Sequence, residues 1–193
     1  MANVKLSAPE KELAMNKEFI LTKIAIIQKV YTLFGELAES YKAICASYQD
    51  QFPAEIFAPS AKISKGENYL QLPYVMLDYP RKFTGNDMFA IRSLFWWGNY
   101  FSISLVASGI YKDAYFTALE KLAYSDKWFI CINESPWHHH FEANNFLPAD
   151  ILKAGTYQQN FIKTGKYLLL ENWDEADDFF TNNFRKIFES LVS

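Results

Sequence analysis

The sequence lacks the short motifs that mark several common classes of enzyme. It contains no phosphate-binding glycine loop, no GxGxxG dinucleotide fingerprint, no GxSxG nucleophile motif and no CxxC pair. Cysteine is scarce as well, and the two present, Cys45 and Cys131, both lie in apolar segments. We therefore expect buried, reduced thiols and no bound cofactor.

Basic charge and long apolar runs are also missing. The net charge is −3, so the chain lacks the positive field that non-specific nucleic-acid binding needs. No stretch approaches the roughly 18 uncharged apolar residues of a membrane span, and the N-terminus has no apolar signal region. These observations predict a cytoplasmic protein with neither nucleic acid nor membrane as a partner.

Aromatic residues, by contrast, are abundant and concentrate between residues 69 and 108. Aromatics make up 18% of the chain, more than packing alone usually needs. Residues 69–79 and 89–97 read as strands buried on both faces, and 100–106 alternates as a third strand. Gly98 and Asn99 suit the hairpin turn between the last two. The alternative is a helix over residues 87–97, with Asn86 as its N-cap and Gly98 at its C-terminal end.

A long amphipathic helix precedes this region. Asn16 is a start signal, Ser7 and Glu10 form a capping box just before it, and the apolar pattern continues to about Tyr48. The spacing predicts a helix lying across a sheet or in a small bundle, with a homodimerisation helix as the alternative. Its main stripe comprises Ile20, Ile24, Ile27, Tyr31, Phe34, Ala38, Tyr41, Cys45 and Tyr48.

The remaining elements complete an α+β pattern. Residues 49–68 read as a surface connection, 112–124 as a helix, 127–133 and 161–170 as strands, and 173–191 as a helix. Asn172 and Glu175 suggest a capping box for that last helix. We therefore predict one domain over residues 1–193. Its sheet is mainly antiparallel, has about five strands and packs against a long N-terminal helix and a C-terminal helix.

From Leu72-Pro73 to the C-terminus, the chain resembles the uncharacterised bacterial YktB-like proteins in its layout. The shared order is an aromatic strand, a hairpin, a helix starting Lys112-Asp113-Ala114-Tyr115-Phe116, a strand, a polar loop, a strand and an amphipathic helix. The resemblance covers about two thirds of the chain and rests on layout, with no functional motif matched. It implies a compact α+β domain and brings no activity with it.

All three histidines are consecutive, at positions 138 to 140. If the segment is extended, His138, His140 and Glu142 share one face and His139 points away from it. Two imidazoles and a carboxylate are suitable ligands for zinc or non-haem iron, so a small metal-dependent enzyme is one hypothesis. The other interpretations are contact with a ligand without metal, and a solvated loop of structural importance alone.

A second polar group lies in the aromatic region, where an arginine beside aromatic rings suits a planar or anionic ligand. The structural interpretation is that Arg81 forms an ion pair with Asp78 and that the two tryptophans belong to the core. Arg92 is the other arginine in this region. Our leading hypothesis is a small-molecule binding module, and enzymatic activity is left undecided. The predicted ligand-binding residues are Arg81, Trp96, Trp97, Trp137, His138, His140 and Glu142, with no catalytic or metal-binding residue assigned.

Overall fold

Side-chain caps set where the two N-terminal helices begin. The computed structural model describes residues 4–125, 127–151 and 159–192. Ser7 and Glu10 form the predicted capping box at the start of α1 (Ala8–Met15). The Asn16 side chain accepts a hydrogen bond from the Phe19 amide at 3.0 Å and so starts α2 (Lys17–Ala46).

One antiparallel sheet follows, and the chain has the predicted α+β class. Across the described residues its strand order is β1-β2-β3-β4-β7-β5-β6: β1 to β4 pair as successive hairpins, and β7 pairs with β4 after α3, β5 and β6 have intervened in the chain. The strands are β1 (Lys62–Tyr69), β2 (Leu72–Thr84), β3 (Asp87–Trp96), β4 (Tyr100–Ser108), β5 (Phe129–Cys131), β6 (Phe146–Pro148) and β7 (Phe161–Leu169); α3 (Ile110–Tyr124) and α4 (Ala176–Leu191) are the later helices.

The structure resolves the open choice over residues 87–97 in favour of a strand. β3 and β4 are joined at the predicted Gly98-Asn99 turn, where Gly98 adopts a φ of +73° that glycine tolerates well. The sheet has seven described strands where about five were predicted. β1 was predicted as surface connection because it is a polar edge strand, and β6 has only three residues.

The main core lies between one face of the sheet and the helices. The rings of Tyr41 and Phe184 stack with centroids 3.6 Å apart, and Phe34 meets Phe180 edge-on at 5.6 Å. β2, β3, β4 and β7 contribute alternate side chains to this helix-covered face: Val75, Leu77, Phe89, Ile91, Phe95, Phe101, Ile103, Leu105 and Ile162.

Only the C-terminal half of the α2 stripe is buried. Ile20 and Ile24 are 49% and 59% exposed, and burial starts at Val30. At 1.5 Å per residue, α2 is about 45 Å long and α4 about 24 Å, so α4 cannot cover the whole of α2. The stripe predicted from Ile20 to Tyr48 is therefore not buried along its whole length.

The predicted capping box of the last helix does not form. Residues 170–175 make a 3₁₀ helix, and α4 begins only at Ala176, with Glu175 as an N-cap residue that makes no side-chain capping bond. The acidic residues Asp177 and Asp178 still occupy the first turn, where they favour the positive end of the helix.

The two halves of the α2 stripe should differ sharply in their effect on stability. We expect Phe34→Ala to reduce the free energy of unfolding by about 3–5 kcal/mol, because it opens a cavity under Phe180. The matched variant Ile24→Ala should change it by less than about 0.5 kcal/mol, because that side chain is exposed. Urea denaturation measures both, and equal losses would contradict the boundary of the core.

Candidate functional site

The second face of the sheet carries the polar chemistry. No α-helix of the described chain packs there. The connection between β5 and β6, residues 132–145, crosses this face instead and covers a small apolar cluster. That cluster comprises Met88, Ala90, Val106, Cys131, Phe146 and Phe161, with Phe129 and Phe141 packed against it.

Two tyrosines anchor this connection to the sheet. The Tyr69 hydroxyl oxygen accepts hydrogen bonds from the amides of His139 at 2.6 Å and His140 at 3.2 Å, and its proton points to His140 Nδ1 at 2.9 Å. The Tyr100 hydroxyl accepts from the Phe141 amide at 2.7 Å. Because both hydroxyls belong to the sheet, the histidine segment is held by sequence-distant side chains.

Beneath the segment, four charged or titratable side chains form a row. Asp78 and Arg92 face each other in the register of β2 and β3, and two hydrogen bonds of 2.7 and 2.9 Å join them. Arg92 Nη1 lies 2.9 Å from His139 Nε2, and His139 Nδ1 lies 3.1 Å from Lys163 Nζ. The register therefore pairs Asp78 with Arg92, and the alternative pairing with Arg81 was wrong.

Lys163 is the most unusual member of the row. It is 1% exposed, and its amine donates to the carbonyl oxygens of Pro136 and His138. No acidic side chain of the described chain lies within ion-pair distance of the amine, which sits 5.4 Å from the centre of the Phe146 ring. A buried lysine without a carboxylate partner is rare in folded proteins.

Burial changes the titration of the two central groups. Burial lowers the pKa of Lys163 from its ordinary 10.5 to about 7, with Arg92 lowering it and Cys131 and Asp78 raising it. Burial also lowers the pKa of His139 well below its usual range, and the nearby charges of Lys163 and Arg92 act in the same direction. Both shifts favour the uncharged forms.

An open cleft adjoins this row, with a volume of about 710 Å³. Phe83, Trp137 and Phe161 form its aromatic walls, while Asn86, Ser108 and Asn160 are among its polar lining. Pro136 and Trp137 belong both to the cleft wall and to the segment that Lys163 holds, so the cleft and the buried row share a boundary.

A close backbone contact positions the floor of the cleft. Gly109 has a φ of +56°, and a Cβ there would lie 2.0 Å from Asp87 Oδ1. The same carboxylate accepts a hydrogen bond from the Ile110 amide at the start of α3. Only glycine therefore allows β4 to pass into α3 at this point.

The orientation predicted for the histidines was wrong. His139, expected to point away, turns toward the sheet and contacts Arg92 and Lys163, whereas His138 is exposed. The reason is that the segment is irregular, so alternation of side chains does not apply. His140 is buried against Tyr69, and its ring lies 5.6 Å from that of His138.

The other predicted site residues are dispersed. Trp137 is the one that lines the cleft. Trp96 packs against Tyr69, whereas its neighbour Trp97 joins the helix-side core. Arg81 donates to the Ser60 carbonyl, and Glu142 is exposed.

The described residues contain no cluster of three or more His, Cys, Asp or Glu side chains that could hold a metal ion. The ring of His140, one of the proposed ligands, is already engaged: its Nδ1 lies 2.9 Å from the Tyr69 hydroxyl. The geometry thus offers nothing that favours the metal-dependent hypothesis built on His138, His140 and Glu142.

Sequence reasoning missed Lys163, Phe83 and Phe161. One signal for Lys163 was available: it follows Phe161 and Ile162 in a predicted strand and shares a face with Phe161 and Gly165. A charged residue at a buried position is the informative exception. Nothing in the sequence could have placed Phe83 beside Trp137, because they are 54 positions apart.

Comparisons with protein-family models, with curated proteins and with solved structures gave no match to this chain. The resemblance to YktB-like proteins therefore stays a prediction. No helix in the described part of the chain is both long and apolar enough to cross a membrane.

Lys163 should make stability depend on pH near neutrality. Its folded pKa of about 7 lies below the ordinary 10.5, so the unfolded chain binds more protons between these values and stability rises with pH. We expect the free energy of unfolding to rise by roughly 1.5 kcal/mol from pH 7 to 8.5.

Urea denaturation at several pH values measures this slope. Lys163→Met should remove it, while Lys166→Met, on the opposite face of β7, should retain it. A wild-type slope equal to that of Lys163→Met would show that Lys163 keeps its proton.

Proposed function

We propose that the protein binds a flat small molecule, neutral or cationic, in the cleft beside Trp137. The observation that carries this proposal is the exposed aromatic pair at the cleft: Trp137 is 52% exposed and Phe83 41% exposed. Their ring centroids lie 6.0 Å apart with the planes tilted by 38°. Large aromatic rings left open to solvent in a concave surface are typical of ligand sites.

The charge of the cleft supports a ligand that is not anionic. Among its described lining residues, Glu134 is the charged one. The Arg92 guanidinium already lies over the Trp137 ring, 6.0 Å from its centre, so a cationic ligand would have to use the remaining indole surface, next to the Glu134 carboxylate. Asn86 and Asn160 offer amide donors and acceptors, which orient a planar ligand without selecting for charge.

Two free, buried cysteines agree with a reducing compartment. Burial raises the pKa of the Cys45 thiol to about 12 and raises that of Cys131 as well. Thiols that remain protonated are poor nucleophiles, so we assign neither cysteine to the site. The cytoplasmic location predicted from the sequence is part of this proposal.

A second candidate function is homodimerisation through the N-terminal half of α2. The observation in its favour is the exposed apolar surface formed by Phe19, Ile20, Leu21 and Ile24. Sedimentation equilibrium distinguishes it from the first candidate, because a monomer at micromolar concentration would exclude a stable dimer without affecting the cleft.

Three dyes of similar size test the charge preference of the cleft. Thioflavin T is flat and cationic, Nile red is flat and neutral, and 1-anilinonaphthalene-8-sulfonate is anionic. We expect the first two to bind at pH 8 more tightly than the third, as measured by fluorescence titration. Tighter binding of the anionic dye would contradict the proposal.

Site-directed variants locate the binding. Trp137→Ala should weaken thioflavin T binding by about threefold to thirtyfold, the range of a cation over an indole ring. Phe19→Ala removes a comparably exposed aromatic ring from α2 and should leave the affinity unchanged. Equal affinities for wild type and Trp137→Ala would place the dye elsewhere.

A further inference from the structure

The contacts of His139 determine where its proton lies. Arginine carries hydrogen on every nitrogen and only donates, so His139 Nε2 must accept from Arg92 Nη1 at 2.9 Å. A neutral imidazole with an unprotonated Nε2 carries its proton on Nδ1. That proton points to Lys163 Nζ, 3.1 Å away, so the lysine must accept it.

Lysine can accept a hydrogen bond only as a neutral amine. A neutral Lys163 has two N–H groups, which match the carbonyl oxygens of Pro136 and His138, and one lone pair, which matches His139 Nδ1–H. Each hydrogen on the amine, and the one on His139 Nδ1, then meets an acceptor. The hydrogen-bond geometry thus favours the uncharged form, in the same direction as the burial of the amine.

A proton added to Lys163 has no acceptor in this arrangement. The new N–H would face His139 Nδ1–H, donor against donor. A change of tautomer would only move the conflict to Nε2, because Arg92 is held in place by two hydrogen bonds to Asp78. Leaving a buried donor without a partner costs about 1–3 kcal/mol, and more for a charged group.

Other titratable groups around the amine do not remove the conflict. Arg92 of β3 adds positive charge, while Asp78 of β2 is already engaged with it. Cys131 of β5 remains a thiol because burial raises its pKa. In the covering segment, His138 is exposed, and the His140 ring lies within hydrogen-bond distance of the Tyr69 hydroxyl. Burial raises the pKa of that hydroxyl, and the charge of Glu142 acts in the same direction.

We propose that proton uptake by Lys163 releases the segment Pro136–His140 from the sheet and thereby opens the wall of the cleft. The segment is where the conflict is relieved, since its two carbonyls and His139 are the direct partners of the amine. Pro136 and Trp137 line the cleft, so its shape follows the segment. The effect on ligand binding rests on the proposed function, whereas the release of the segment does not.

Hydrogen exchange tests the release without any ligand. The amides of His139 and His140 are protected by the Tyr69 hydroxyl, and a peptide covering residues 134–145 reports on them by mass spectrometry. With a folded pKa near 7, the protonated fraction rises about tenfold from pH 8 to pH 6. After correction for intrinsic exchange, protection should fall by about tenfold over that range.

Three variants assign the effect to Lys163. Lys163→Arg stays protonated, so protection should be low at both pH values. Lys163→Met takes up no proton, so protection should not change with pH, and Lys166→Met should behave like wild type. Constant protection in wild type, or a fall that persists in Lys163→Met, would overturn the proposal. The wild-type profile decides even if a variant fails to fold.

Thioflavin T then separates this inference from the proposed function. If both hold, its affinity should fall about tenfold from pH 8 to pH 6 in wild type and stay constant in Lys163→Met. Loss of protection with no dye binding at any pH would support the release of the segment and refute the proposed function. Dye binding with constant protection would support the proposed function and refute the release of the segment.

Discussion

The ion pair of Asp78 and Arg92 is the constraint on which the open face of the sheet depends. Two hydrogen bonds to Asp78 hold the guanidinium in place beside His139. Because arginine nitrogens carry only hydrogens, the one directed at His139 can only donate. That single fact sets the tautomer of His139, and the tautomer in turn requires Lys163 to be neutral. The amine then holds the carbonyls of Pro136 and His138, which places Trp137 at the cleft. A cross-strand ion pair thus acts through two side chains, those of His139 and Lys163, on the position of an exposed aromatic ring.

The two faces of the sheet are covered in different ways. The helix-covered face is packed with aromatic and aliphatic side chains, among them the stacked pair of Tyr41 and Phe184. In the described part of the chain, the other face is covered by an irregular segment that is anchored through the hydroxyls of Tyr69 and Tyr100. Within this segment, Phe141 packs on the apolar cluster, whereas the backbone of His139 and His140 is tied to the sheet by hydrogen bonds; the proposed release concerns that hydrogen-bonded part.

The fold could be predicted further than the site. Period-two and period-3.6 patterns found the long strands and helices, because each such element exposes a repeating face to the core. The polar edge strand β1 and the three-residue strand β6 were not predicted, since neither has a repeating pattern of apolar residues. The prediction of the site failed for a different reason. His139 was assigned by strand alternation, but its orientation is determined by Arg92 and Lys163, which lie 47 and 24 positions away. Pairings of that kind depend on sheet register, and a single sequence shows register only indirectly.

The protonation states of Lys163 and His139 can be observed directly by ¹⁵N NMR. With ¹⁵N in the lysine side chains and histidine rings, and Lys163→Arg to assign the signal, the account predicts a neutral amine at Lys163 at pH 8. His139 should carry its proton on Nδ1, with Nε2 unprotonated. A Lys163 ammonium together with a His139 ring protonated on Nε2 would contradict the account, because Arg92 would then face a donor and the tautomer argument would fail.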